Sequence, residues 1–262
     1  MIFYFTATGN SLYVAKQIEA KPVSIPQVIH QENREFSADS IGIVAPVYGH
    51  EMPNMVKDFI RNSVFNTDYF YIILTYGNRH GGAAELAKQF CDEYGIKVNY
   101  INAVLMVDNW LPSFDMNEQM QIDKKIPEKM AEILSDLRSR KNMISEVTDA
   151  DRNAHRQFLE RMGNTLPDAW QHLIEVTDDC TGCGICEQVC PSASIRIVDG
   201  NAVFHPGKCE TCFACIHACP AKAIALTVSE KNPQARFRNE NISLQEIIDS
   251  NHQTNRRYDN EQ

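Results

Sequence analysis

Eight of the chain's nine cysteines fall into one motif written twice, and no other feature limits the fold so tightly. The first copy runs Cys180-Thr-Gly-Cys183-Gly-Ile-Cys186-Glu-Gln-Val-Cys190-Pro191. The second runs Cys209-Glu-Thr-Cys212-Phe-Ala-Cys215-Ile-His-Ala-Cys219-Pro220. The match extends outward, Ser192-Ala193-Ser194-Ile195 aligning with Ala221-Lys222-Ala223-Ile224, so the segment is an internal duplication. Three thiolates at this spacing wrap one corner of an iron–sulfur cubane, with the surrounding backbone N–H groups pointing at sulfur. A zinc site would use paired C-x2-C units without a third cysteine and a Cys-Pro in each half. Disulfides are disfavoured in a reducing compartment. Both stand as the weaker alternatives to two [4Fe–4S] clusters.

Each fourth cysteine is held at a turn by the following proline and points away from its own triplet. In two-cluster ferredoxins it therefore serves the other cluster. The expected ligand sets are Cys180, Cys183, Cys186 and Cys219 for one cluster, and Cys209, Cys212, Cys215 and Cys190 for the other. Gly182 and Gly184 suit close backbone approach to a cluster. Thr211 and Phe213 replace them in the second copy, which predicts a more crowded loop there. His217, between Cys215 and Cys219, reads as a surface residue or one just behind the ligands.

The N-terminal half alternates short β-rich runs, loops and helical patterns, which implies a parallel sheet with helices on both faces. Ile2–Phe5 leads into Thr6-Ala-Thr8-Gly9-Asn10-Ser11 and then a helical pattern with Leu12, Val14, Ala15 and Ile18. A strand, a hydroxyl-and-glycine loop and a helix N-terminus make a phosphate site. Without a lysine, the loop suits a phosphomonoester better than a triphosphate; a plain capped turn is the alternative. Strands are expected at Ser40–Val47, Tyr69–Thr75 and Lys97–Val107. Their C-terminal loops carry Tyr48-Gly49-His50-Glu51, Tyr76-Gly77-Asn78 and Asp108-Asn109-Trp110, where ligands of such sheets bind. Cys91, in a helical pattern with Leu86, Ala87, Phe90 and Tyr94, reads as buried and inert.

Thr6–Ser11 resembles the FMN phosphate loop of flavodoxins, T-x-T-G-N-[ST], and Pro46–Gly49 and Thr75–Asn78 look like the loops that sandwich the isoalloxazine ring. The whole chain is similar to bacterial, clostridial-type 2[4Fe–4S] ferredoxins with an N-terminal flavodoxin-like domain, common in anaerobes. The resemblance implies a five-stranded, doubly wound α/β domain over residues 1–140, and an α+β ferredoxin domain over 174–228. A helical linker over 141–173 would join them, and 229–262 would be a polar tail with one short helix from the capping box Ser243–Glu246. By that resemblance Thr6, Thr8, Gly9, Asn10 and Ser11 hold the FMN phosphate. Tyr48 and Gly49 flank the ring with Tyr76 and Asn78, Gly77 lets a peptide reorient toward flavin N5, and Trp110 covers the edge. Core packing is the alternative for the aromatics.

Asn117–Leu137 reads as one long helix that Pro127 kinks or splits. The net charge of −9 and pI near 5.4 argue against a nucleic-acid surface and fit docking to basic redox proteins. No apolar run approaches a membrane span, and the chain is expected to be cytoplasmic. The expected function is electron transfer between FMN, two clusters and redox partner proteins. The alternative is a reductase of a small-molecule acceptor lined by His50, Glu51, Asn109 and Trp110. An empty flavodoxin-like scaffold in a redox sensor is the third reading.

Overall fold

A computed structural model describes residues 1–162 and 173–253. Its N-terminal half is built on parallel strands, the central ones buried on both faces as strands covered by helices must be. These are β1 (Ile2–Tyr4), β2 (Val23–Ser24), β4 (Ile41–Pro46), β6 (Phe70–Tyr76), β7 (Tyr100–Leu105) and β8 (Met143–Ile144). They form one sheet in the order β2-β1-β4-β6-β7-β8, every pairing parallel, with Phe3 opposite Ile43 and Ile43 opposite Ile72. A separate parallel pair joins β3 (Glu35–Ser37) to β5 (Val64–Asn66). Phe36 and Phe65 on that pair pack with Phe3 and Phe59, the Phe3–Phe59 ring centroids lying 4.9 Å apart.

The sheet has six strands, not the expected five. The sixth, β8, lies in the stretch read as linker. Two residues carry no alternation to detect; they become a strand only because Tyr100 and Ile101 offer a free edge. The expected long helix is two, α5 (Met116–Gln121) and α6 (Ile126–Arg138). Pro127 stands in the first turn of α6, where its missing N–H costs nothing, and so begins a helix.

The other helices of this half are α1 (Asn10–Ile18), α2 (Ile25–Val28), α3 (Asn54–Arg61), α4 (Ala83–Glu93) and α7 (Asp149–Arg161). A reciprocal capping box between Thr148 and Asp151 starts α7.

The cysteine-rich part is small. β9 (Ile174–Val176) pairs antiparallel with β12 (Ile224–Leu226), and β10 (Ile195–Val198) with β11 (Asn201–Phe204). Each cysteine triplet runs into a one-turn helix, α8 (Ile185–Val189) or α9 (Ala214–Ala218). The duplication is visible in the backbone. Gly182 and Thr211 are both left-handed, as are Gly184 and Phe213, and Ala193 and Lys222.

The chain then doubles back. Its last helix, α10 (Leu244–Asn251), opens with the capping box between Ser243 and Glu246. It lies against the N-terminal half, with Ser250 Oγ and Tyr4 Oη 2.6 Å apart and Lys16 Nζ 2.5 Å from Glu246. The described part of the expected tail is thus a packed strap. Residues 163–172 of the expected linker and 254–262 of the tail lie outside the described residues.

Candidate functional site

A cavity of about 580 Å³ opens at the C-terminal ends of β1, β4, β6 and β7. Thr6, Thr8, Asn10, Ser11, Tyr48, Gly49, Tyr76, Gly77, Asn78 and Trp110, all singled out in the sequence, line it together. Gly9 does not. Its backbone is left-handed (φ 100°) at the start of α1, and a Cβ there would stand 3.0 Å from Asn239 and Ile242 of the strap. Gly9 therefore serves the turn and the strap, and its bare side faces away from the cavity.

No side chain caps α1, so its first N–H groups are free for an anion. Thr6 Oγ1 is buried and has no hydrogen-bond partner. The other loop side chains are engaged. Ser11 Oγ lies 2.8 Å from Thr75 Oγ1, Asn10 Nδ2 donates to Val107 O (3.0 Å), and Asn109 Nδ2 donates to Thr8 Oγ1 (3.3 Å).

Gly77 also has a reason of its own. A Cβ there would stand 2.4 Å from Asp108 Cα, so the approach of the β7 loop already demands glycine. Tyr48 closes a tight turn with Glu51, N to O 2.8 Å, through left-handed Gly49 and His50. Burial pushes its phenol well above the ordinary value, with the Cys212 thiol and Glu210 carboxylate adding to the shift. The Tyr76 ring meets His80 edge-on at 5.2 Å.

The second cysteine copy supplies the remaining wall. Glu210, Thr211 and Phe213 line the same cavity. Glu210 accepts from Asn54 N (3.0 Å) and Met55 N (2.8 Å) and so caps α3 from across the fold. Burial pushes its carboxyl up to about 7 against the opposing pull of those bonds. Phe213 stacks on Trp110 with centroids 5.0 Å apart and an interplanar angle of 19°. Sequence reasoning missed Glu210, since a lone glutamate between two cysteines carries no signal. It caught only the crowding at Phe213.

His217 is not a surface residue. It is buried, accepts from Phe237 N at Nδ1 (3.1 Å), and so donates from Nε2 to Asn109 O (3.0 Å). Burial lowers its pKa to about 4. Trp110 and Asn109 are thus both tied to the second copy.

The thiols gather in two groups. Cys180, Cys183, Cys186 and Cys219 surround one small pocket. The Cys190, Cys212 and Cys209 thiols bear most on Cys215, with Cys186 of the first group contributing least. Burial raises Cys186 to about 12 and Cys209 to about 11, with the neighbouring thiols adding to both. Backbone N–H groups point at sulfur in both copies: Ser194 N to Cys190 Sγ (3.2 Å), Ala223 N to Cys219 Sγ (3.3 Å), and Thr211 N to Cys209 Sγ (3.3 Å). All nine cysteines are free thiols, and Cys91 is buried.

Residues 172–220 match the family described as "4Fe-4S dicluster domain". The chain is 34% identical over 55 residues to "Ferredoxin-1" of Chlorobaculum tepidum, a match covering 19% of this chain and 89% of that protein. It is 31% identical over 68 residues to "Ferredoxin" of Pyrobaculum islandicum, covering 26% of this chain and 63% of that one. It is 45% identical over 47 residues to a component of the ion-translocating oxidoreductase complex of Methanosarcina acetivorans, covering 18% of each. The chain thus spans less than two thirds of the length of the last two relatives. Through its C-terminal module the chain belongs to the 4Fe–4S dicluster ferredoxin family. That module is an iron–sulfur electron-transfer unit. Among the described residues no helix is long and apolar enough to cross a membrane.

Proposed function

We propose that the protein passes electrons between an FMN held in the N-terminal cavity and two [4Fe–4S] clusters, and on to redox partner proteins in the cytoplasm. The observation that carries this reading is the shared wall: Glu210, Thr211 and Phe213 of the second cysteine copy line the cavity that holds Thr6, Tyr48 and Tyr76. The N-terminal half is read as flavodoxin-like. Its strand order reverses at β1, with β2 on one side and β4 on the other, and in flavodoxins FMN sits at that switch point.

The residues present fit the flavin. The unpartnered Thr6 Oγ1 and the uncapped α1 N-terminus would hold its phosphate, with Thr8 beside them. Tyr48, Tyr76 and Trp110 would shield the ring from water. Cys180, Cys183, Cys186 and Cys219 would hold one cluster, and Cys209, Cys212, Cys215 and Cys190 the other. FMN supplies an exchange of one or two electrons, while each cluster takes one. In this reading residues 1–140 and 174–228 are the two cofactor domains, and the stretches 141–173 and 229–262 hold them together.

Anaerobic reconstitution with iron, sulfide and FMN tests the assignment. About eight irons, as two cubanes require, and about one FMN per chain are expected. Full iron with no flavin uptake would reject the flavin half of the proposal. A Cys180→Ala chain whose flavin is reduced by a donor protein as fast as before would reject the relay.

A further inference from the structure

Helix α7, expected to be only part of a linker, roofs the cavity. Ala154, Phe158, Arg161 and Met162 on its inner side line the space together with Tyr48, His50, Tyr76 and Arg79. The helix is anchored over the loops by Arg152 Nε to Glu85 (2.9 Å) and by the His50 ring, whose centroid lies 4.9 Å from that of Phe158 and 5.6 Å from that of His155. A ring bound between Tyr48 and Tyr76 would lie beneath this roof, with room between the two.

Both signs of charge line that space, with Lys57, Arg79 and Arg161 set against Glu51, Asp108 and Glu210. The chain carries a net −9, yet Arg79 and Arg161 both reach this wall, close enough to His50 for their charges to bear on it. Among the described residues neither arginine makes an ion pair. The other charges of the space have local partners: Lys57 pairs with Glu51 at 2.7 Å, Asp108 accepts from Trp110 N at 2.9 Å, Asp151 stands 3.9 Å from His80, and Glu210 caps α3. The buried Nδ1 atoms of His50 and His155 have no hydrogen-bond partner. Two unpaired guanidinium forks beside an apolar, aromatic surface form a pattern that takes a flat body at one end and a carboxylate at the other.

We propose that the space under α7 is a substrate compartment for a small organic anion, a carboxylate with a flat apolar body. The body lies against Phe158 and Met162, and the carboxylate is held by Arg79 and Arg161. What lies beneath the anion rests on the flavin reading; recognition by the two arginines does not.

Benzoate and its neutral counterpart benzamide serve as probes of the oxidised, FMN-loaded holoprotein. Benzoate is expected to perturb the visible flavin spectrum saturably and to bind at least about tenfold more tightly than benzamide. The double variant Arg79→Gln/Arg161→Gln, altered at two exposed positions, should lose at least about tenfold in benzoate affinity, about 1.4 kcal/mol, while its iron content and benzamide affinity stay unchanged. Equal binding of the two probes, or full benzoate affinity in the double variant, overturns the proposal. If the chain takes up no FMN, the flavin reading has failed, and calorimetric titration of the iron-loaded protein with benzoate decides by itself. Heat that depends on the two arginines supports the compartment, and its absence rejects it.

Discussion

The two copies of the cysteine motif share a backbone and differ in their surroundings. The first is lined by Gly182 and Gly184 and leaves Cys183 exposed. The second places Thr211 and Phe213 in the same left-handed conformations, which ordinarily cost a side chain about 1–2 kcal/mol. Its Cys212, the counterpart of Cys183, is buried, although each copy buries two of its four cysteines. Strain is tolerated in the second copy because each unfavourable residue does something the glycine could not: Phe213 stacks on Trp110, and Thr211 lines the cavity. The second copy lines the cavity and the first lies outside it, tied instead to the strap, where Val189 O accepts from Asn251. A duplicated sequence thus yields an inner and an outer module, the difference residing in the few positions where the copies diverge.

The largest test of that contrast is Phe213→Ala. It keeps the left-handed strain, removes the stack on Trp110 and opens a void, so anaerobic urea unfolding should show a loss of about 3–5 kcal/mol. A loss under about 1 kcal/mol would mean the second copy is no better anchored than the first.

Asn251→Ala probes the strap between the halves. The Asn251 amide, fully buried, donates at 3.0 Å to both Thr6 O in the N-terminal loop and Val189 O beside Cys190. Leaving two carbonyls without this donor should cost about 2 kcal/mol in the same assay and loosen amide protection in the Thr6–Ser11 loop. Unchanged hydrogen exchange in that loop would show that the strap does not steady it.

In the outer copy, Gly184→Ala meets nothing nearer than 3.7 Å, so only backbone strain is felt. About 1 kcal/mol is expected. A much larger loss would show that the outer copy is packed as tightly as the inner one.

The smallest effect concerns the end of the strap. Lys16 and the Ser243 cap hold the Glu246 carboxyl down to about 2. A depressed acid contributes stability above its unfolded value, near 4.5, and loses it as the pH falls toward 2. The pair is exposed, so screening keeps the contribution below about 1 kcal/mol. Glu246→Gln should therefore flatten the unfolding profile across pH 4.5 to 2 by no more than that.

Much of the candidate site was legible because its signals are local. Thiol spacing, a hydroxyl-and-glycine loop after a strand, and aromatic residues at strand ends lie within a few residues of one another. Three assignments needed the fold. Gly77 looked like a flavin-loop glycine, and its missing side chain is demanded by Asp108. His217 read as a surface residue or one just behind the ligands, and the fold makes it a buried link between Asn109 and Phe237. The stretch after residue 140 read as a linker; it adds a strand to the sheet and a roof to the cavity.

From sequence alone came the duplicated cluster module, the alternating α/β half and the loops that gather at its strand ends, because each depends on chemistry written into neighbouring residues. How the two halves meet was decided only in three dimensions. Glu210 caps a helix beginning at Asn54, Asn251 reaches Thr6, and Phe213 finds Trp110. Each pair lies about 100 residues or more apart, and lone polar or aromatic side chains acquire such partners only when packing of the core brings distant segments together.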